Sequence, residues 1–150
     1  MQTTAFTISL TALLLGAAPA KASDTGTLNV VAAGFSNTDG PAIAKLFMPG
    51  DNVLVHGRWQ RIAKVGAGLS AKFQFTGLAP GQYAVVVFHD ENGDGEINHR
   101  LSVPIEQLGF SAGFQLGIFS GLPTFDKLKF ELGPREQTID IQVRYVGAAF

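Results

Sequence analysis

The stretch "LSAKFQFTGLAPGQYAVVVFH", Leu69 to His89, decides the fold. Leu69, Ala71, Phe73 and Phe75 alternate with Ser70, Lys72 and Gln74, and an alternation of period two marks a strand with one face buried and the other wet. Pro80-Gly81 then supplies a tight-turn signal. Tyr83 to His89 is apolar at nearly every position, as a strand covered on both faces requires. Together the two runs read as a hairpin.

Working outward, "TLNVVAAGF" (Thr27 to Phe35) reads as a first strand ending in the turn "SNTDGP", and "AIAKLFM" (Ala42 to Met48) as a second, stopped by Pro49-Gly50. "DNVLVHG" and "WQRIAKVG" are shorter mixed runs and read as edge strands. Late in the chain "KLKFEL" and "TIDIQVRYV" resume the alternation, with Ile139, Ile141, Val143 and Tyr145 on one side and Asp140, Gln142 and Arg144 on the other. Roughly seven strands and no helix of normal length predict an all-β, antiparallel β-sandwich.

The 150 residues suffice for one core. Apolar residues make up 46% and charged ones 15%, a balance that folds without staples. That matters because cysteine is absent and no disulfide framework exists. Net charge is -1, with no Lys or Arg cluster to track phosphates, so nucleic acid is excluded as the expected partner. From Ile8 to Ala18, "ISLTALLLGAA" has the character of a signal-peptide core, and Ala20-Lys21-Ala22 offers small residues where a signal peptidase reads. The expectation is a secretory signal over residues 1–22 and one domain over 23–150, exported to the periplasm or the extracellular space. The segment is too short to span a bilayer.

Directly after the apolar strand, "DENGDGEIN" places Asp90, Asn92 and Asp94 at alternate positions. Calcium takes six to eight oxygens, and an EF-hand loop supplies them at its first, third, fifth, seventh, ninth and twelfth places, with glycine at the sixth. Counting from Asp90, the loop offers Asp90, Asn92, Asp94, Gly95 at the bend, the main chain of Glu96, and Asn98. The twelfth place holds Leu101 where a bidentate Glu is required, and Glu106 is the nearest replacement. A site of this kind would sit among weak extracellular calcium modules, roughly 10⁻⁴ to 10⁻³ M. The competing reading is a turn in which Asp and Asn side chains bond to nearby amides. Four acids in one loop, Asp90, Glu91, Asp94 and Glu96, repel each other without a cation, which is the argument for the metal, and the sequence leaves both readings open with the turn slightly ahead.

His56, His89 and His99 are the only histidines. His89 and His99 flank the acidic loop, but one pair is half a tetrahedral zinc site at most. Gly-x-Ser-x-Gly and phosphate-cradling glycine motifs are absent from the sequence. A non-enzymatic binding or structural module, with an unknown protein or small ligand as partner, is the expected function. Its alternative is a small-molecule binder or hydrolase with His89, His99 and a Phe-rich loop at the sandwich mouth. That loop, Gln107 to Thr124, carries no charge and spaces Phe110, Phe114 and Phe119 among glycines. The expectation is that its phenylalanines fold back over the sandwich. An exposed ligand, protein or membrane-surface contact is the sharper alternative.

In the order "FTGLAPGQYAVVVFHDENGDGEIN", "PIEQLGFS" and "PTFDKLKFEL", the chain resembles domain-of-unknown-function family 2141, small exported bacterial proteins. "FTGLAPGQYAVVV" is also similar to transthyretin-like and carboxypeptidase-regulatory-type sandwiches. These resemblances imply a seven-stranded, prealbumin-like (transthyretin-like or Ig-like) sandwich and export, and they imply no activity. The transthyretin-like fold includes a hydrolase of hydroxyisourate whose C-terminal Tyr-Arg-Gly-Ser is not found here, where the chain runs Arg144-Tyr145-Val146-Gly147.

Overall fold

A computed structural model describes residues 24–54, 57–117 and 119–146. The expected signal segment and His56 lie outside the described residues.

Three strands form one sheet in the order β10-β1-β4, with β1 at Gly26–Ala33, β4 at Ser70–Leu78 and β10 at Glu136–Gln142. A second sheet runs β3-β2-β5-β8, from β2 (Pro41–Phe47), β3 (Trp59–Lys64), β5 (Gly81–His89) and β8 (Leu108–Phe110). β9 (Phe130–Leu132) adds to β5 through Gly81 to Tyr83. A small hairpin, β6 (His99–Arg100) with β7 (Val103–Pro104), stands apart. The only helical pieces among the described residues are a 3-10 turn at Ser111–Gly113 and one α-turn, α1, at Phe125–Leu128. The all-β sandwich-like fold is as the alternation predicts. One pairing departs from the antiparallel expectation, because β1 and β10 run parallel.

The hairpin expectation for Leu69 to His89 is overturned. β4 pairs with β1 in the first sheet, whereas β5 pairs with β2, β8 and β9 in the second. The Pro80-Gly81 turn therefore carries the chain from one layer to the other. The side chains give the reason. β4 needs only one covered face and buries Ala71, Phe73 and Phe75. β5 is buried from Tyr83 to His89 and needs cover on both faces.

That cover comes from two separate clusters. Leu28, Val30, Ala32, Phe73 and Phe75 from the first sheet meet Ala42, Ala44, Leu46, Val85 and Val87 from the second. On the far side of the second sheet, Ile43, Phe47, Ala84, Val86 and Phe88 pack with Leu108, Phe110 and Leu128. The uncharged segment thus forms a third layer that begins as β8. Phe110 is buried, Phe114 packs edge-on against it at 5.4 Å, and Phe119 is fully exposed.

Two further runs differ from their sequence reading. The described part of "DNVLVHG" is a turn, because Asp51 Oδ2 accepts from the Met48 amide at 2.8 Å and Asn52 Oδ1 from the Leu54 amide at 3.0 Å. Within "KLKFEL" only Phe130 to Leu132 is strand, since Leu128 ends α1 and fills the second cluster. "WQRIAKVG" does supply an edge strand, β3.

Gly109 closes one corner of the sandwich. A Cβ there would lie 2.5 Å from Ile141 Cγ2 and 2.8 Å from the Gln142 carbonyl. Its absence lets β8 approach the chain leaving β10, where Leu108 and Arg144 exchange main-chain bonds of 2.8 and 2.9 Å. No helix among the described residues is long and apolar enough to cross a membrane.

Candidate cation-binding loop

β5 ends at His89, and the chain enters the acidic loop from a base that three segments hold. The Asp90 amide donates to the Pro41 carbonyl at 2.9 Å, and the His89 amide to the Gln107 carbonyl at 3.0 Å. Gln107 is itself buried, accepting from the Ser36 amide at 2.7 Å and donating to the Gly34 carbonyl at 2.9 Å. Gly40 sits against this base with φ +64°, where a Cβ would fall 2.0 Å from the Asp90 carbonyl oxygen. Only glycine combines that backbone conformation with that approach.

Within the loop, Asp90 is buried and its two carboxylate oxygens accept from the main-chain amides of Asp94 (3.1 Å) and Gly95 (2.9 Å). Asp94 Oδ1 accepts from the Glu96 amide at 2.9 Å, and Asn92 Oδ1 from the Asp94 amide at 3.2 Å. The Asn92 side-chain nitrogen donates to Asp94 Oδ2 (2.9 Å) and Asn98 Oδ1 (2.8 Å), and the Asn98 nitrogen to Asp94 Oδ2 (2.8 Å). Asn98, Asn92 and the Glu96 amide hold the Asp94 carboxyl below its usual range. The side chains of Asp90, Asn92, Asp94 and Asn98 thus bond within one loop, to which Glu96 contributes its main-chain amide. Among the described residues, no three His, Cys, Asp or Glu side chains are grouped as a metal site would group them.

Glu106 enters from the far side of the β6–β7 hairpin. It is buried, and its Oε2 accepts from the Asn98 amide at 3.1 Å, while the Ile105 amide donates to the Asn98 carbonyl at 3.0 Å. Burial raises its pKa, and the nearby Asp90 and Asp94 carboxylates raise it further. The hairpin thus excises residues 99–105 and delivers a carboxylate to the loop from beyond the twelfth place. The repulsion read from sequence involves a different set of acids. Glu91 turns away, accepting from Tyr145 Oη at 2.8 Å, and Glu106 takes its place.

The histidines do not form a mouth. His89 is fully buried, its Nε2 bonded to the Asp39 carbonyl at 2.7 Å and its ring edge-on to Phe35 at 5.1 Å. A carbonyl only accepts, so Nε2 carries the proton. Nδ1 faces Glu91 Oε1 at 3.4 Å without a hydrogen bond. His99 is exposed on β6. Of the three phenylalanines, Phe110 is buried, Phe114 half-buried and Phe119 fully exposed.

Sequence reasoning missed Ser111. Its hydroxyl accepts from the Val85 amide at 2.9 Å and donates to the Leu128 carbonyl at 2.6 Å. β9 covers the edge of β5 at Gly81 to Tyr83 and β8 covers it at Val86 to Phe88. The serine fills the gap between them, and nothing in its local sequence announces such a partner.

No curated protein and no solved structure matches the chain. A family model described as "Uncharacterized protein conserved in bacteria" matches residues 30–140, a span that takes in most of both sheets and the whole acidic loop. By that match the chain belongs to the bacterial family DUF2141.

Proposed function

We propose that this chain is a non-enzymatic binding or structural module of the cell envelope whose Asp90 to Glu106 loop takes calcium as a stabilising ligand. One observation carries the reading: a buried carboxylate, Glu106, is held over a loop that already contains Asp90 and Asp94, at a cost in desolvation and repulsion that a divalent cation removes. The donors fit calcium in kind, being carboxylate, carboxamide and main-chain oxygens. The Asn92 side-chain nitrogen joins the Asp94 and Asn98 oxygens. Taking up the ion therefore requires the Asn92 carboxamide to turn its oxygen inward. Calcium near millimolar concentration is an extracytoplasmic condition, which agrees with the signal-like residues 1–22.

The alternative, a small-molecule binder or hydrolase of the transthyretin-like type, places His89 and His99 at a common mouth. Burial of His89 against Phe35 and Asp39 weighs against it.

Thermal melts of the protein in EDTA and in excess calcium test the proposal. A ligand that binds only the folded state at a hundredfold its Kd adds about 2.7 kcal/mol. The melting temperature is expected to rise with calcium, and the rise to disappear in Asp94→Asn with Glu106→Gln, which keeps the side-chain shapes and removes two charges. Identical melts in both media contradict the reading.

A further inference from the structure

One flank of the sandwich presents two open strand edges side by side. β3 ends the second sheet, paired to β2 from Pro41↔Lys64 to Leu46↔Trp59 with no strand laddered to its other edge among the described residues. β4 ends the first sheet. Arg61 joins the two, its Nε donating to the Gln74 carbonyl at 3.2 Å and its guanidinium lying 5.2 Å over the Phe75 ring. An open edge is a row of unpaired main-chain donors and acceptors ready for another strand.

The side chains on this flank are selective. Trp59, Gln60, Arg61, Ile62 and Lys64 are all exposed, Ile62 by 63%. From residue 52 to residue 89 the sequence has no Asp or Glu, yet it carries Arg58, Arg61, Lys64 and Lys72. Arg58 is paired with Asp51 at 2.9 Å. The other Lys or Arg paired with a carboxylate among the described residues is Lys129 with Asp126, so Arg61, Lys64 and Lys72 have no carboxylate at ion-pair distance. Cations on an edge repel a second copy of the same edge, since like charges across a strand pair are destabilising. An acidic strand meets the opposite condition.

We propose that the β3 edge is a docking site for an extended acidic segment of a partner protein, which adds as a further strand beyond β3. Main-chain bonds supply the affinity in this mode, and alternate side chains supply the choice of partner. Carboxylates on one face of the added strand lie against Arg61, apolar residues on the other face cover Ile62, and Lys64 adds to the positive field along the edge. The proposal is independent of calcium.

The test is hydrogen exchange of the β3 amides with synthetic peptides as probes. A peptide of alternating Val and Glu is expected to slow exchange at Gln60 to Lys64 in a saturable way. Methylating alternate peptide nitrogens should abolish the effect, because it removes the strand-pairing donors. Alternating Val and Lys should give none. In Lys64→Glu with Lys72→Glu, checked for an unchanged melt, Val/Glu peptide binding should weaken by about tenfold or more. Three results overturn the proposal: no protection of β3 at millimolar peptide, equal protection by the N-methylated peptide or by polyglutamate, or protection that grows with protein concentration alone, which assigns the edge to a second copy.

Discussion

The Asn98 amide and Glu106 Oε2 meet at 3.1 Å across the neck of the β6–β7 hairpin, and this bond fastens a buried carboxylate onto the acidic loop. Glu106 is there at a cost. Burial lifts its pKa above the ordinary carboxylate range, and Asp90 and Asp94 push the same way against the Asn98 amide. A carboxyl with a raised folded pKa holds its proton more tightly when folded. Its contribution favours folding at low pH and is lost as pH rises from the unfolded value through the folded one.

Glu106→Gln removes that dependence while keeping an acceptor for Asn98. In EDTA, the variant is expected to differ from the parent by a constant amount at acid pH well below the ordinary Glu pKa, where Glu106 is neutral both folded and unfolded, and to gain on the parent as pH rises to neutral. Asp94 has the opposite sign, its pKa being lowered, so its contribution is present at neutral pH and lost on acidification. Melts from acid to neutral pH separate the two, because only the difference between parent and variant reports Glu106. Parallel profiles contradict the assignment.

Ser111→Ala is expected to destabilise by about 1–3 kcal/mol, the cost of leaving the buried Val85 amide and Leu128 carbonyl without partners. Denaturant unfolding measures it. A change within about 0.5 kcal/mol, typical of a surface site, would mean that the serine does not bridge Val85 and Leu128.

The third layer makes two phenylalanines of one loop behave differently. Phe110→Ala opens a cavity in the second cluster and is expected to cost about 3–5 kcal/mol. Phe119→Ser changes a fully exposed side chain and should stay within about 0.5 kcal/mol. Similar losses for both would show that the segment does not cover the sheet as described.

These contrasts mark what the sequence reveals. Alternation at Ala71, Phe73 and Phe75 and the continuous run from Tyr83 to His89 each report how many faces of their strand are covered, and both readings hold in the structure. They say nothing about which strand lies alongside, so the Pro80-Gly81 turn reads as a hairpin when it is a crossing between sheets. The spacing of Asp90, Asn92, Asp94 and Asn98 is local, and these side chains bond within one loop. Glu106 reaches the loop only because a two-residue β6 and β7 fold back, and Glu91 leaves it only because Tyr145 arrives from the far end of the chain. Contacts so distant in sequence leave no local pattern.

The hairpin that brings Glu106 home is strained. Leu101 and Ser102 at its tip have φ of 50° and 66°, a left-handed region that suits Asn and Gly. Leu101→Asn with Ser102→Gly is expected to raise stability by about 1–2 kcal/mol. By organising the neck in advance, it should also tighten calcium binding. Lower stability in unfolding curves would mean that Leu101, 93% exposed, is held by something other than its turn.

The most direct measurement is a calcium titration of the isotopically labelled protein followed by its amide resonances. The account predicts that the amides of Asp94, Gly95, Glu96 and Asn98 and the Asn92 side-chain amide shift together and saturate, with Kd of roughly 10⁻⁴ to 10⁻³ M. The shifts should vanish in Asp94→Asn with Glu106→Gln. Resonances that stay in place through about 10 mM calcium, well above the range expected of such sites, would contradict it and leave "DENGDGEIN" as a hydrogen-bonded turn.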